Sequence, residues 1–417
     1  MCIAYFYSFI NLVYNMTQIN TSATAGRPAT NRGAGFYLLQ FIRVFVGVLF
    51  IFSGLIKAND PSGLAYKMEE FFEVWHMTFM SSYALVFSIV MIVFEIIAGV
   101  ALLLGFAFRL FSFLLLLLMI FFTFLTAYAV FSGKIKECGC FGDCIPLTAM
   151  QSFTKDIILL VLVVILFAGR KHIRPLFRGT VNTILFSLSL IGSVLIQWVV
   201  LEHLPFVDCL PYKVGNNIWE KMQPPPGSTP DVYQTNYVLK NAVSGETKKI
   251  SDKDYISSGI WKDTTWQLNG EPVTELIKKG NATPAIQDFK VSDYAGEDYT
   301  ESLLKEPGYN FVFFLKDADN ASSRNTERLR ALIEKANKNN VGFFVLSANT
   351  QEQTERYLQK NKLVADHFVI DATVCKTAMR TNPGLMLIKA GTVLGKWSYN
   401  DYPKDFDLSG DKLKIKK

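Results

Sequence analysis

Three cysteines fall within seven positions of one stretch, "ECGCFGDCIPL" (137–147): Cys138, Cys140 and Cys144. The rest of the chain holds three more, Cys2, Cys209 and Cys375. Cysteines this close support three kinds of chemistry. A metal site needs typically four donors at recognised spacings. Cys-x-Cys-x3-Cys fits that poorly, and the four histidines, His76, His172, His203 and His367, are remote in sequence, so no metal is expected. A structural staple, such as Cys140–Cys144, needs only an oxidising compartment. An exchange-active redox centre needs a disulfide that a thiolate can attack, and Gly139 and Gly142 permit the tight turns of a strained short-loop bridge. Staple and redox centre both stay open. Either leaves an odd loop cysteine that could reach Cys209 or a partner protein, with Cys144 the weaker redox candidate. Cys375 reads as a small buried hydrophobe or a further disulfide partner.

The compartment decides among these readings. Of 417 residues, 50% are hydrophobic and 19% charged, and the apolar ones concentrate before about residue 201. A span needs roughly 20 mostly apolar residues. Five stretches approach that: Phe36–Ile56, Tyr83–Phe106, Leu110–Phe131, Phe153–Phe167 and Ile184–Leu201. The opening "MCIAYFYSFINLVYN" is too short to span, and a start at Met16 with a short polar tail is the expected reading. Loop charges set orientation. Arg170, Lys171, Arg174 and Arg178 follow span four, Arg109 sits between spans two and three, and Arg27 and Arg32 precede span one. All of these then face the cytoplasm. Asp60, Glu69, Glu70 and Glu73, the cysteine loop and everything after span five face outward. This predicts a bacterial inner-membrane protein with a periplasmic C-terminal half, on the oxidising side.

Charged side chains inside spans cost at least ~2.5 kcal/mol each, so Arg43 and Glu95 stand out. Their similar depth in antiparallel helices predicts an Arg43–Glu95 pair, either fixing helix register or forming a proton or substrate site. Lys57, at the outer end of span one, is expected to snorkel to the interface. Small residues in "FSGLIK" and "EIIAGVALLLG" offer close helix approach.

"RVFVGVLFIFSGLIKANDP" with "FEIIAGVALLLGFAFR" resembles the first helices of the DoxX superfamily of four-helix membrane proteins, and "ECGCFGD" resembles its MauE branch, over roughly residues 36–170. The DoxX resemblance implies membrane redox chemistry with a quinone as cofactor. The MauE resemblance implies disulfide formation in a periplasmic partner. It does not imply methylamine as substrate, because the attached domain differs.

In the soluble half, Pro224–Pro226, Gly227 and Pro230 mark a stiff linker. Asn236–Ile250 and Gln287–Thr300 read as two glycine-turned hairpins, a weakly repeated unit. Residues 308–400 then alternate strand and helix: strands at Tyr309–Asp317, "VGFFVLSAN" and "HFVID", helices at Ser323–Asn340 and "TQEQTERYLQKNKL", and a closing hairpin at Gly384–Trp397. This order resembles a thioredoxin fold of the TlpA type, with Pro383 at the position of the family's cis-proline and as a candidate partner-binding residue. The departure is "LKDADNASSRN", which lacks the Cys-x-x-Cys that follows the first buried strand of such folds. Without a low-pKa thiolate and a resolving thiol, this domain binds a partner rather than exchanging disulfides.

The expected architecture is a polytopic α-helical membrane bundle, four DoxX-like helices plus a fifth transmembrane helix, followed by a soluble α/β thioredoxin-like domain. The expected boundaries are a tail over 1–35, the bundle over 36–170, a cytoplasmic loop and fifth helix over 171–204, a linker and β-rich segment over 205–283, and the thioredoxin-like domain over 284–417. The partners are the lipid bilayer and a periplasmic or envelope protein. A net charge of +6 without an aromatic-interleaved basic patch argues against nucleic acid, and no Walker loop, GxSxG elbow, HExxH or dinucleotide fingerprint occurs. Two functions remain. One is thiol–disulfide redox or maturation of envelope proteins through Cys138 and Cys140. The other is a non-enzymatic membrane scaffold with structural cysteines.

Overall fold

The computed structural model describes residues 34–133, 139, 142–177, 179–410 and 412–416. Cys2, Met16, Cys138 and Cys140 lie outside them. The chain forms two compact units, Met1–Leu210 with Ser398–Asp401 and Pro211–Trp397 with Tyr402–Lys417.

The first unit is helical. Helices α1 (Ala34–Ala58), α2 (Pro61–Val74), α3 (Ala84–Leu104), α4 (Phe108–Ser132), α5 (Ala149–Ala168) and α6 (Gly179–Glu202) follow in order. All but α2 are long and apolar enough to cross a bilayer, α3 together with the 3₁₀ turn Thr78–Tyr83 that leads into it. The helices extend beyond the apolar stretches where capping allows. α5 begins before Phe153 because Thr148 and Gln151 form a reciprocal capping box, which satisfies two orphan N–H groups. The short α2 starts on an Asp60 side chain that accepts from the Gly63 amide, with Pro61 at its first turn, the favoured N-terminal chemistry.

α1 and α3 are held together by glycines. A Cβ at Gly99 would lie 2.7 Å from the Gly47 carbonyl oxygen, and one at Gly54 would lie 2.6 Å from Ile96. Such contacts leave no room for a side chain, so the helices approach at backbone distance. At the far end of this seam α3 stops on Gly105, whose φ of +69° suits glycine. Leu102, Leu115, Met119, Val163 and Val46, all fully or almost fully buried, form the core around it.

The second unit contains two sheets. β1 (Val232–Asn241) pairs antiparallel with β2 (Thr247–Ser251), β3 (Trp266–Leu268) and β4 (Val273–Lys278). A six-stranded sheet runs β10-β9-β6-β7-β8-β5, comprising β5 (Val291–Ser292), β6 (Tyr309–Leu315), β7 (Gly342–Ser347), β8 (Asp366–Ile370), β9 (Gly384–Lys389) and β10 (Thr392–Ser398). β6, β7 and β8 are parallel, while β9 and β5 are antiparallel to their neighbours. From Phe311 to Leu315 β6 is wholly apolar and buried because both its faces are covered. The connecting helix α7 (Thr326–Lys338) buries Leu329, Leu332, Ile333 and Ala336, an i, i+3, i+4, i+7 stripe. Helices α8 (Gln351–Lys360) and α9 (Ala372–Ala378) complete the connections. β11 (Asp405–Ser409) and β12 (Lys412–Lys416) form a separate hairpin. This is a mixed α/β, thioredoxin-like arrangement, with the Asn382–Pro383 peptide in cis just before β9. The expected repeat does not form: only the first hairpin exists, and Val291–Ser292 pairs with β8 while Ser292 makes an isolated bridge to Asp298.

Replacing Gly99 by leucine should lower the stability of the bundle by about 1–3 kcal/mol. Thermal unfolding in detergent checks this.

Candidate functional site

A cavity of about 460 Å³ lies inside the helical unit, within the size range of small-molecule sites. Its walls are mainly aromatic and thioether side chains, among them Phe71, Trp75, Phe94, Met119 and Phe122. Polar groups enter it at only a few places: Ser53, Lys57, Lys67, Glu95, Thr126, Lys155 and Asp156. Gly139, between Cys138 and Cys140 in sequence, also lines it.

Glu95 and Arg43 do not pair. Lys57 Nζ lies 2.5 Å from Glu95 Oε1, with the two side chains 4% and 1% exposed, and Ser53 Oγ donates to Glu95 Oε2 at 3.3 Å. Arg43 instead donates from Nε to the Leu102 carbonyl at 2.6 Å and from its guanidinium to the Leu103 carbonyl at 2.7 Å. Side-chain direction explains this outcome. Helical side chains lean toward their own N-terminus. On antiparallel α1 and α3, Lys57 therefore leans back to the level of Glu95, while Arg43 leans away from it. There Arg43 meets the carbonyls of the last turn of α3, which lack regular i+4 donors and carry the negative end of the helix dipole. Lys57 is thus a buried partner, not a snorkelling residue.

A second buried carboxylate faces the same cavity. Asp156 Oδ1 lies 2.5 Å from Lys155 Nζ, and Thr126 Oγ1 donates to Asp156 Oδ2 at 3.1 Å. Asp156 is 1% exposed and Lys155 24%. Lys155 and Asp156 fall inside the fourth apolar stretch, Phe153–Phe167, but sequence reading singled out only Arg43 and Glu95 as charges within spans. Two adjacent opposite charges inside an apolar run were the available clue.

The cysteine loop meets the cavity through Gly139. Its φ is +65°, and a Cβ there would lie 3.1 Å from Lys67 Cγ on α2. Glycine is therefore required on both counts. Cys138 and Cys140 themselves lie outside the described residues. Cys144 forms a disulfide with Cys209, with Cα atoms 4.9 Å apart. Of the pairings the sequence left open, this is the link from the loop to Cys209 and not a Cys140–Cys144 staple, and it ties the α4–α5 loop to the chain just after α6, so both lie on one side of the bundle.

In the second unit Cys375 is free and fully buried, not a disulfide partner. Desolvation pushes its thiol up to about 12, which removes thiolate reactivity. Pro383 follows Asn382, whose side-chain oxygen accepts from the Lys316 and Asp317 amides and whose amide donates to the Asp317 carbonyl at 2.8 Å. Asp317 in turn accepts from the Asp319 and Asn320 amides. The turn that carries a dithiol in active thioredoxin folds is here an Asx turn tied to the cis-proline loop.

Residues 36–169 match the family model of the methylamine utilisation protein MauE, which makes the first unit a MauE-like membrane region. The chain is 32% identical over 134 residues to Protein TlpB of Flavobacterium psychrophilum. The match takes in 31% of this chain, and the chain spans about a third of that curated relative, 36% of its length. Among solved structures, a cysteine-to-serine mutant of Xanthomonas campestris peroxiredoxin Q and the bacterioferritin comigratory protein of the same organism each align at 14% identity, covering 26% of this chain and 80% of theirs, with a TM-score of 0.20. The fold assignment rests on strand order, not on these likenesses.

Lys57→Met should strand Glu95 and cost about 3–5 kcal/mol, and adding Glu95→Leu should recover most of that; thermal unfolding in detergent measures both. Cys375 should resist maleimide at pH 8 until the protein unfolds. Its folded thiol keeps its proton well above the ordinary 9.0, so its contribution to stability is intact below about pH 9 and lost as pH rises toward about 12. Chemical denaturation of wild type and Cys375→Ala across that range checks the sign.

Proposed function

We propose that this protein is a membrane component of thiol–disulfide redox or maturation of envelope proteins. A Cys138–Cys140 disulfide accepts two electrons from a client dithiol. A client thiolate attacks one sulfur, a mixed disulfide forms, and the second client thiol resolves it, leaving the client oxidised and Cys138 and Cys140 as two thiols. Restoring the loop disulfide removes two electrons and two protons. The observation that carries this reading is that Gly139 lines the same apolar cavity as Glu95 and Asp156.

The cavity's chemistry fits a quinone: aromatic walls for a ring, and two separate lysine–carboxylate pairs for ring oxygens. When bound, a quinone supplies an acceptor of two electrons and two protons. Lys57 and Ser53 would orient it, and the aromatic walls would exclude water. The DoxX resemblance supports the same cofactor. The thioredoxin-like unit, of TlpA type, binds the client through the Pro383 turn without thiol chemistry of its own. The membrane is the bacterial inner membrane, with Arg170, Lys171 and Arg174 on the cytoplasmic side and both the cysteine loop and the second unit in the periplasm.

The Cys144–Cys209 disulfide favours one competing reading, a scaffold whose cysteines only staple loops. Acid quenching and alkylation of cells separates the two. Cys140→Ser should accumulate mixed disulfides between Cys138 and envelope proteins, while Cys144→Ser should not. A loop that yields no mixed disulfide in either Cys138→Ser or Cys140→Ser, with unchanged client oxidation, rules out exchange and leaves the scaffold.

A further inference from the structure

We propose that Asp156, through Thr126 and Lys155, is the proton-handling residue of the cavity; this rests on the redox reading above. Two carboxylates face the cavity, and they differ. Glu95 is sealed: its partners Lys57 and Ser53 occupy both of its oxygens, and the Lys57–Glu95 pair is 4% and 1% exposed. Such a pair holds charge in place and fixes orientation. Asp156 is as deeply buried, yet its partner Lys155 is 24% exposed and sits in the second turn of α5, whose N-terminus adjoins the cysteine loop. Lys155 thus offers Asp156 a partly exposed cation through which a proton can enter, and the Lys57–Glu95 pair offers none of that exposure.

The other side of Asp156 is a hydroxyl that can pass a proton on. Thr126 Oγ1 lies within reach of the Phe122 and Thr123 carbonyls at 3.0 and 3.2 Å as well as of Asp156. Its proton can turn toward a carbonyl while the oxygen accepts. One turn before Asp156, on the same face of α5, the Ser152 hydroxyl is buried with no hydrogen-bond partner among the described residues, a polar atom available to a transferred proton or an ordered water. The charged groups around Asp156 are Lys155 on its own helix and, across the cavity, Lys57 on α1, Lys67 on α2 and Glu95 on α3.

Reforming the loop disulfide makes the S–S bond and releases two protons with two electrons. A bound quinone would supply the acceptor for those two electrons and two protons. Asp156 receives each proton at a carboxylate oxygen and gives it up on the cavity side, so it ends each turnover unchanged.

Full-length protein in liposomes tests this with decylubiquinone as the probe. Trp75 lines the cavity, so the Trp75-dependent emission, defined by difference from Trp75→Phe, reports binding by quenching. Asp156→Asn should bind the probe within about threefold of wild type yet reoxidise the loop on the order of a hundredfold more slowly. Asp156→Glu should restore most of that rate, and Thr126→Val should lose about tenfold. Infrared difference spectra between reduced and oxidised protein should show a carboxylic-acid carbonyl band that persists in Glu95→Gln and vanishes in Asp156→Asn. Normal quenching with a band and a rate unaffected by Asp156→Asn, or a band lost only in Glu95→Gln, overturns the assignment alone. Absence of Trp75 quenching in wild type overturns the quinone reading beneath it.

Discussion

The helical unit is organised by the cost of burying charge. A carboxylate moved into an apolar interior loses several kcal/mol of solvation, and only a close, hydrogen-bonded cation returns it. Glu95 meets that condition because α1 and α3 approach at glycine distance. With side chains at Gly47, Gly54 or Gly99 the helices would separate, and the Lys57 ammonium would no longer reach 2.5 Å from Glu95. The same seam sets what happens at its other end. The register that brings Lys57 to Glu95 brings Arg43 to the last carbonyls of α3, where a fixed cation supplies donors to acceptors at the frayed end of the helix. Three glycines therefore determine which of two cations meets the single acid of that seam.

The cavity follows from this framework. Around the paired charges the packing is done by rings and methionines, and α2 closes the loop end with Phe71, Phe72 and Lys67. Gly139 rests on Lys67 with a backbone conformation that only glycine adopts without strain. The Cys144–Cys209 bridge holds the same loop from its other side. A cysteine loop anchored at two points over a cavity with internal charge pairs is a more specific arrangement than any one of its residues suggests.

Much of this was legible in the chain, and the failures have physical reasons. Hydropathy located the five long helices, since a bilayer-length apolar run has few other uses. Alternation of buried strands with striped helices located the thioredoxin-like sheet, and "TNPGLM" marked the turn before β9. Element ends were less legible, because capping side chains such as Thr148 extend helices into polar sequence. The pairing of Glu95 was misread because depth along a helix was considered without the lean of its side chains. The second hairpin was misread because its strand pairs with β8, a partner distant in sequence. The cavity could not be read at all. Its lining comes from α1 to α5 and the loop, and no local pattern encodes what those elements leave between them.

The second unit bears on where thiol chemistry can reside. A thioredoxin-like sheet does two separable things: it shapes a surface around a cis-proline turn, and it activates a thiol at a helix N-terminus. Here the turn is kept, braced by Asn382 against the backbone after β6. The thiol position is taken by Asp317, whose side chain is already committed to the amides of Asp319 and Asn320. The one cysteine in the unit, Cys375, is fully buried on the inner face of α9 with its thiol held neutral. A fold without its dithiol but with its surface turn is consistent with the partner-binding role proposed above. Under the proposed redox function, disulfide exchange would fall to the loop that the Cys144–Cys209 bridge and the Gly139–Lys67 contact anchor beside the cavity.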